Sequence, residues 1–570
     1  MQGRPTWTVA APDPATVDRL AAELEIHSVV SRCLVNRGYR SAKEVRSFLA
    51  PRLADLSPPD GMADLPRAAL RIADAVARGE RIGVFGDYDV DGIASAALVT
   101  TFLGEVGAVV HGEIANRFDT GYGLGAEAVD RFFARGCTVL VVLDCGTSDH
   151  ESIRRAAGLG IDTVVVDHHR IEGEYPPAVA FVNPHRSDCR FEDKTLAAVG
   201  LAFYFAAAVR RALEDRGCLE PGGIDLRRLL DLVALGTIAD VVPLTGNNRI
   251  LAAHGLRALS GTERPGLRAL MRIGRVRSHR VRADHVAFQL APRLNAAGRL
   301  ADARKAYELL VEVQDRQASE TAAELDRLTR ERRIIEDRVT DEARGIIDRR
   351  GLTAHPAIVV AGDGWHRGVL GIVAARLAES SGRPVFVVGF HGDRGIGSAR
   401  AQGQLDLHRA LSAVSGHLLR HGGHREAAGF TVERERFPAF AEALLEHARR
   451  HASALTRQPL VCDATLVSRD LTVALLEGIA RLGPFGRENS EPVFAVEDLP
   501  VLGSRVVGGD HLKLELKTPS GSIGAFGPRK AGLAGSLPPV IRVAASLAAD
   551  DWGGHEDVEL RLAEPPIVGK

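Results

Sequence analysis

Gly86-Asp87-Tyr88-Asp89-Val90-Asp91-Gly92 stands directly behind the apolar run 81–85. Three carboxylates at two-residue spacing repel one another, and buried unpaired charge is expensive. No Lys or Arg lies among them, so a hard divalent cation is their natural partner. The bland account is a solvated acidic turn. A calcium loop of the EF-hand kind needs an acid at its twelfth position. Counting from Asp87, that position is Leu98.

The same pattern recurs downstream. The apolar runs 138–143 and 163–166 end in Leu143-Asp144-Cys145-Gly146 and Val166-Asp167-His168-His169. A further run, 229–238, ends in Ile238-Ala239-Asp240. Helical stretches at 93–106, 152–159 and 196–211 separate these runs. Continuous apolar strands alternating with helices predict an α/β unit on a parallel sheet covered on both faces. In such a sheet all C-terminal strand ends share one edge, where ligands bind. A lone strand-end Asp is usually a helix cap, and a lone His a satisfied core residue. The joint occurrence carries the weight: four apolar runs each deliver Asp or His to that edge. Asp89, Asp91, Asp144, His168 and Asp240 then supply ligands for two divalent ions. Carboxylate with imidazole suits Mn²⁺ or Mg²⁺, and the lack of thiolate motifs disfavours structural zinc. Cys145 is read as packing. Two ions ~3.5–4 Å apart suit in-line displacement at phosphorus, so the expectation is a two-metal phosphoesterase edge.

The chain has 570 residues, 45% hydrophobic and 25% charged, with 72 Lys and Arg against 73 Asp and Glu and a net charge of -1. That length predicts several domains, and that balance excludes wholesale disorder. Nucleic-acid binding would have to come from a local groove, not from bulk charge. Six scattered cysteines without a Cys-x-x-Cys pair argue against a disulfide framework and fit a reducing cytosol. The N-terminal residues lack the apolar core of a signal peptide, and the run 196–209 is too short to span a bilayer. A cytoplasmic location is expected.

Residues 1–55 form an N-terminal segment with one helix candidate, 14–24. Residues 56–314 hold the strand-end carboxylates. Segment 315–350 repeats Ala318, Ala322, Leu325, Leu328, Ile335, Val339, Ala343 and Ile346 at largely helical spacing. It predicts a rod of ~50 Å joining two units. A second α/β unit, 351–457, opens with strand 357–360, helix 368–380 and strand 385–388. From 458 to 570, short strands at 461–467, 493–496, 512–516, 521–526, 540–548 and 557–562 predict a small β-barrel.

Taken together, these motifs resemble the DHH phosphoesterase superfamily, whose third motif is here Asp167-His168-His169. Within it the chain is similar to the single-strand-specific 5′→3′ exonucleases. The matching stretches are DYDVDG (87–92), NRFDTGYGL (116–124), LDCGTS (143–148), VDHH (166–169), AAVGLAF (197–203), LGTIADVVPL (235–244) and APRLNAAGRL (291–300). In the second unit they are GWHRGVLGIVAARL (364–377), GSAR (397–400) and GGHREAAGF (422–430). LGPFGRENSEPVF (482–494) and HLKLEL (511–516) match in the last. The resemblance implies a DHH domain, a connecting helix, a DHH-associated domain and an OB-fold. It also implies release of 5′-mononucleotides from single-stranded DNA, in recombination and repair, with a single-strand-binding protein and a helicase as partners.

For the site, the resemblance implies that Asp89 and Asp91 each bind a metal and that Asp144 bridges both. His168 and Asp240 would complete the second position. Asp87 would be a further ligand or a group behind one, and His169 would face the scissile phosphate. Four positions depart from the family pattern: Phe85 stands where His is frequent, Ala94 where Thr is, Arg367 where Pro is, and Gly486-Arg487-Glu488-Asn489-Ser490 replaces Gly-x-Gly-Asn-Pro. Only Phe85 touches the chemistry, removing one ligand.

Holding the strand falls to other groups. The resemblance places Arg117 near the 5′ phosphate, where a bidentate guanidinium suits the group; the alternative is an ion pair with Asp119. Arg293 and Arg299 flank small residues that let a backbone approach, against the alternative of helix-end ion pairs. Ser398, Arg400 and His424 stand beside glycines whose N–H groups can approach phosphate. The basic run 275–282, alternating with Val276 and Val281, is expected as a ribbon along a DNA path. Aromatic content of 5% limits base stacking to a few residues. Two other readings stay open: an oligonucleotide or cyclic-dinucleotide phosphodiesterase of the superfamily, and an inactive strand-binding scaffold.

Overall fold

The apolar run behind the first motif forms the strand Arg81–Gly86, second in a sheet of five. The order is Val109–Ile114, Arg81–Gly86, Cys137–Leu143, Asp162–Val166, Ala180–Val182, with every pair parallel. The computed structural model describes residues 7–116, 123–401, 405–451, 459–519, 521–549, 558–563 and 568–569. Val84, Val141 and Val164 face one core with helices Leu65–Arg78, Val90–Glu105 and Ala198–Asp215. Phe85, Val142 and Val165 face another beneath helices Ala126–Ala134 and His150–Gly158. Burial on both faces is why these strands read as unbroken apolar runs. The edge strand Val109–Ile114, with Val109 half exposed, carries His and Glu and gives no such run.

One expected run changes class. Residues Leu230–Ala239 form an α-helix, not a strand, and Asp240 arrives from its C-terminal end. Leu230 through Ile238 are all buried. A helix buried on every side shows no amphipathic period and cannot be told from a buried strand by pattern.

Helix Asp315–Arg349 spans 35 residues. Ala318, Ala322, Leu325 and Leu328 enter the core of the first unit, whereas Val339, Ala343 and Ile347 enter that of the second. Between these stretches Arg332 and Glu336 form a buried ion pair at 2.8 Å, which Arg376 of helix Leu370–Ser381 extends. The second sheet runs Arg420–Gly423, Ala427–Glu433, Arg394–Arg400, Val385–His391, Ile358–Asp363, and only its last pair is parallel.

The last unit closes because Val540–Ala549 pairs back onto Phe494–Val507. The expected strand 461–467 is two: Leu460–Cys462 pairs with Trp7–Val9, and Ala464–Val467 pairs with the barrel. Besides Pro14–Leu24, the N-terminal residues form helices Ser28–Asn36 and Ala42–Leu49. Their Cys33, Leu34, Val45 and Phe48 share the barrel's core. The basic run 275–282 is a loop with one short turn, Ser278–Arg280, and not a ribbon, because Val276 and Val281 are buried. Among the described residues no helix is long and apolar enough to cross a membrane.

Candidate metal centre

Strand direction brings the carboxylates together. Three overlapping groups have ligand atoms all within 4.8 Å of one another: Asp87, Asp89 and Asp144; Asp91, His168 and Asp240; Asp144, His168 and His169. Asp144 and His168 each belong to two groups and join the cluster.

Each side chain is fixed by its own local structure. Asp89 caps helix Val90–Glu105, one carboxylate oxygen accepting from Asp91 N at 2.9 Å and Gly92 N at 3.1 Å. Gly92 is required, since a Cβ there would lie 2.6 Å from the Asp87 backbone. Asp91 accepts from Ala198 N at 2.7 Å and Val199 N at 3.0 Å, at the start of helix Ala198–Asp215. Helix N-termini stabilise negative charge, so two of the carboxylates are held by helix ends as well as aimed at the cluster. Asp144 has φ +62, the left-handed region that Asp tolerates better than most residues. Val241, right after Asp240, has φ +59, an outlier for a β-branched residue, and such strain concentrates at functional sites.

His168 Nδ1 lies 3.2 Å from the Leu196 carbonyl, which can only accept. That bond uses a proton on Nδ1 and turns Nε2 toward Asp144 at 3.2 Å and Asp240 at 3.7 Å. That is the orientation a ligating imidazole takes. His169 is held differently. Its Nδ1 lies 2.7 Å from Asp167, which also accepts from Thr147 Oγ1 at 2.5 Å and from the His168 and His169 N–H groups. Burial opposes charge on His169, but the Asp167 hydrogen bond and the carboxylates outweigh it and raise the imidazole to about 9. Burial likewise opposes charge on Asp167, yet its partners hold it below the ordinary range.

The remaining carboxylates are pushed the other way. Burial first, then the Asp240 charge, raises Asp91 to about 7. Burial, then Asp89, raises Asp240 to about 7 as well. Asp87 and Asp144 are raised by burial and then by Asp89. Asp87 Oδ1 is buried without a hydrogen bond among the described residues. Crowded acids short of donors, with an imidazole Nε2 among them, fit divalent cations of the Mn²⁺ or Mg²⁺ kind. Phe85 packs in the apolar core with Leu124 and Phe132.

The expected strand-holding residues lie elsewhere. Ser398 and Arg400 sit side by side on strand Arg394–Arg400, with Arg400 Nη1 3.3 Å from Ser398 Oγ. Both face Gly371, where a Cβ would lie 3.0 Å from Arg400 Nη2. His424 is exposed just beyond strand Arg420–Gly423. Arg299, ending helix Ala291–Leu300, reaches across to the Gly368 carbonyl at 3.3 Å and ties the first unit to the second. Arg293 pairs with Asp326 at 3.0 Å, the ion-pair alternative. Arg117 and Asp119 lie outside the described residues. Sequence reasoning gave no role to Asp167, held by Thr147 and by its neighbours His168 and His169, nor to the Leu196 carbonyl.

Three family models match the chain: DHH family, N-terminal domain over residues 81–237, DHHA1 domain over 355–450 and RecJ OB domain over 462–564. The single-stranded-DNA-specific exonuclease RecJ of Bacillus subtilis (strain 168) is 34% identical over 98% of this chain and 71% of its own length. That of Escherichia coli (strain K12) is 35% identical over 87% of this chain and 88% of its own. The crystal structure of RecJ in complex with Mn²⁺ from Thermus thermophilus superposes with a TM-score of 0.82 at 31% identity, covering 100% of this chain and 80% of that one. The Mg²⁺ complex from the same source gives 0.75 at 30% identity, covering 99% and 79%. A likeness spanning nearly the whole chain, with all three domain models in order, leaves one conclusion: the chain belongs to the RecJ family of single-stranded-DNA-specific exonucleases.

Proposed function

We infer that the chain is a metal-dependent exonuclease that degrades single-stranded DNA 5′→3′ to 5′-mononucleotides. The observation that carries this reading is the convergence of Asp87, Asp89, Asp91, Asp144, His168 and Asp240 within shared ligand distance. In our reading Asp87, Asp89 and Asp144 hold one cation, and Asp91, Asp144, His168 and Asp240 the other. When bound, two Mn²⁺ or Mg²⁺ ions activate a water and offset charge on the phosphodiester. Water adds to phosphorus and the bond to the 3′ oxygen of the terminal nucleotide breaks. The shortened strand keeps a 5′ phosphate.

His169, kept protonated by Asp167, faces the scissile phosphate and donates a hydrogen bond to its oxygens. His168 ligates through Nε2, with Nδ1 turned to the Leu196 carbonyl. Arg117, Arg299, Ser398, Arg400 and His424 hold the strand's phosphates. The labour divides along the chain: 56–314 carries the chemistry, 315–350 spaces the two α/β units, 351–457 grips phosphate, and 458–570, packed with 1–55, binds the strand. A single-strand-binding protein and a helicase would deliver substrate in the cytoplasm, where six free cysteines stay reduced.

Product analysis tests the reading. Strands labelled at the 5′ or the 3′ end are incubated with Mn²⁺ or with chelator. Mononucleotide released first from the 5′ label, and only with metal, is expected. Release from the 3′ label first would reverse the polarity, and cleavage unaffected by chelator would remove the metal centre.

A further inference from the structure

Helix Asp315–Arg349 passes from one apolar core into another, yet between them it buries charge. Arg332 is 7% exposed and Glu336 1%. One Glu336 oxygen lies 2.8 Å from Arg332, and the other lies 3.1 Å from Arg376 of helix Leu370–Ser381. An ion pair this deep adds little over apolar side chains of the same size, so stability alone does not account for it.

Both arms of the pair lead toward functional groups. On the first unit, Arg332 Nη1 donates to the Pro292 carbonyl at 3.1 Å, in helix Ala291–Leu300. Near the other end of that helix, a Cβ on Gly298 would lie 3.1 Å from the carbonyl of Tyr88, which stands between Asp87 and Asp89. On the second unit, Arg376 shares its helix with Gly371, which faces Ser398 and Arg400. The bracket closes where Arg299 meets Gly368, so near that a Cβ there would collide with the Arg299 carbonyl. Glu336 thus joins the helix behind the first acidic motif to the helix behind the phosphate-holding pair.

We propose that Glu336 is a positioning residue that sets the cleavage register, holding the phosphate grip of the second sheet at a fixed span from the metal centre. This role rests on the exonuclease reading and deepens it by naming what limits the product to one nucleotide. A strand gripped at one point and cut at another is cut at the length between them. With the span fixed, one phosphodiester lies at the centre. With the span loose, neighbouring phosphodiesters share that place and fewer bound strands are productive. Glu336 touches no reacting atom and acts through Arg332 and Arg376.

The test compares wild type, Glu336→Gln, Arg376→Met and Arg376→Lys. Three quantities are read: the length of the first product from a 5′-labelled strand with Mn²⁺, turnover at saturating strand, and strand affinity in chelator. Glu336→Gln keeps the shape of the side chain but removes the charge that both arginines share. It is expected to add dinucleotide to mononucleotide as first product and to lower saturating turnover about 10- to 100-fold, with strand affinity as in wild type. Arg376→Met, on the more exposed arm, shifts product length the same way and decides the matter alone should Glu336→Gln fail to fold. Arg376→Lys keeps the charge and restores mononucleotide. Folded variants that release mononucleotide alone, at whatever rate, overturn the role of Glu336, as does weaker strand binding with saturating turnover unchanged. A wild type that releases no nucleotide sinks the exonuclease reading itself, whereas an active wild type whose product length the variants share sinks only the register.

Discussion

The two α/β units each carry a five-stranded sheet, yet they place charge in opposite ways. In the first sheet every neighbour is parallel, so the strand ends share one edge. Acids from distant segments are pressed together there: Asp87, Asp91 and Asp144 are buried, and their carboxyls are driven up. In the second sheet only one pair is parallel. Its polar groups lie along a strand and a hairpin, Ser398 and Arg400 half-buried and His424 exposed. The first arrangement is electrostatically unfinished without cations. The second needs no cation to balance it. Parallel topology thus concentrates like charge at one edge, while a mixed sheet disperses its donors, an arrangement that suits the phosphate grip proposed for it.

The sharpest way to break this contrast is Asp144→Ala. Asp144 belongs to two of the ligand groups, and its loss is expected to lower turnover by about 10³-fold or more while strand binding in chelator is kept. Nucleotide release and a binding titration read the two separately. Retained turnover would show that the edge is not the chemical centre. Asp167→Asn sharpens the same point at smaller scale. His169 loses its charged partner but Asp89, Asp144 and His168 remain, so turnover drops about 10- to 100-fold with Mn²⁺ affinity kept. A matching loss of Mn²⁺ affinity would instead make Asp167 part of the metal's own support.

Legibility in the sequence follows the same physics. Residues 81–86, 137–143 and 162–166 announce themselves because burial on both faces confines polar residues to the start of each run, at Arg81, Thr138, Asp162 and Thr163. The long helix is legible for the opposite reason, since a solvated face makes its period visible. Val109–Ile114 is hidden by edge exposure, and Leu230–Ala239 by burial all round. The clustered acids and His168 were readable as motif ends. Asp89 and Asp91 also cap helices, so the bland and the functional accounts hold together for them. Asp167 could not be assigned, because Thr147 meets it only in the fold and the turn that aims the His169 ring back at it is not written in the motif. Glu336 carries no sequence signal: one acid on a highly charged helix becomes distinctive only through its burial.

On the second sheet the expected signature is reversed. Arg400→Ala removes a guanidinium beside Ser398 and should weaken strand binding about ten-fold, as for a hydrogen bond to a charged group. Turnover at saturating strand should stay near wild type. If saturation does not restore turnover, Arg400 acts on the reacting phosphate, and the division between a chemical sheet and a gripping sheet is lost.

The smallest effect concerns stability without metal. Asp91 and Asp240 ionise near 7 in the folded chain and near ~3.9 when unfolded. Between those values the native state holds more protons than the unfolded one, so these two groups make stability fall as pH rises. Their contribution is full below ~3.9 and lost above about 7. Asp240→Asn removes one of them. In chelator the variant's melting temperature should therefore gain on that of wild type between about pH 5 and about pH 8. Added Mn²⁺ should reverse the ranking at the upper pH, because a divalent cation displaces those protons and the Asn variant offers it a poorer ligand. No such window is expected from Arg400→Ala, whose guanidinium keeps its charge throughout. A parallel pair of melting curves for wild type and Asp240→Asn in chelator would mean that solvent already relieves the crowding of acids at the first sheet's edge.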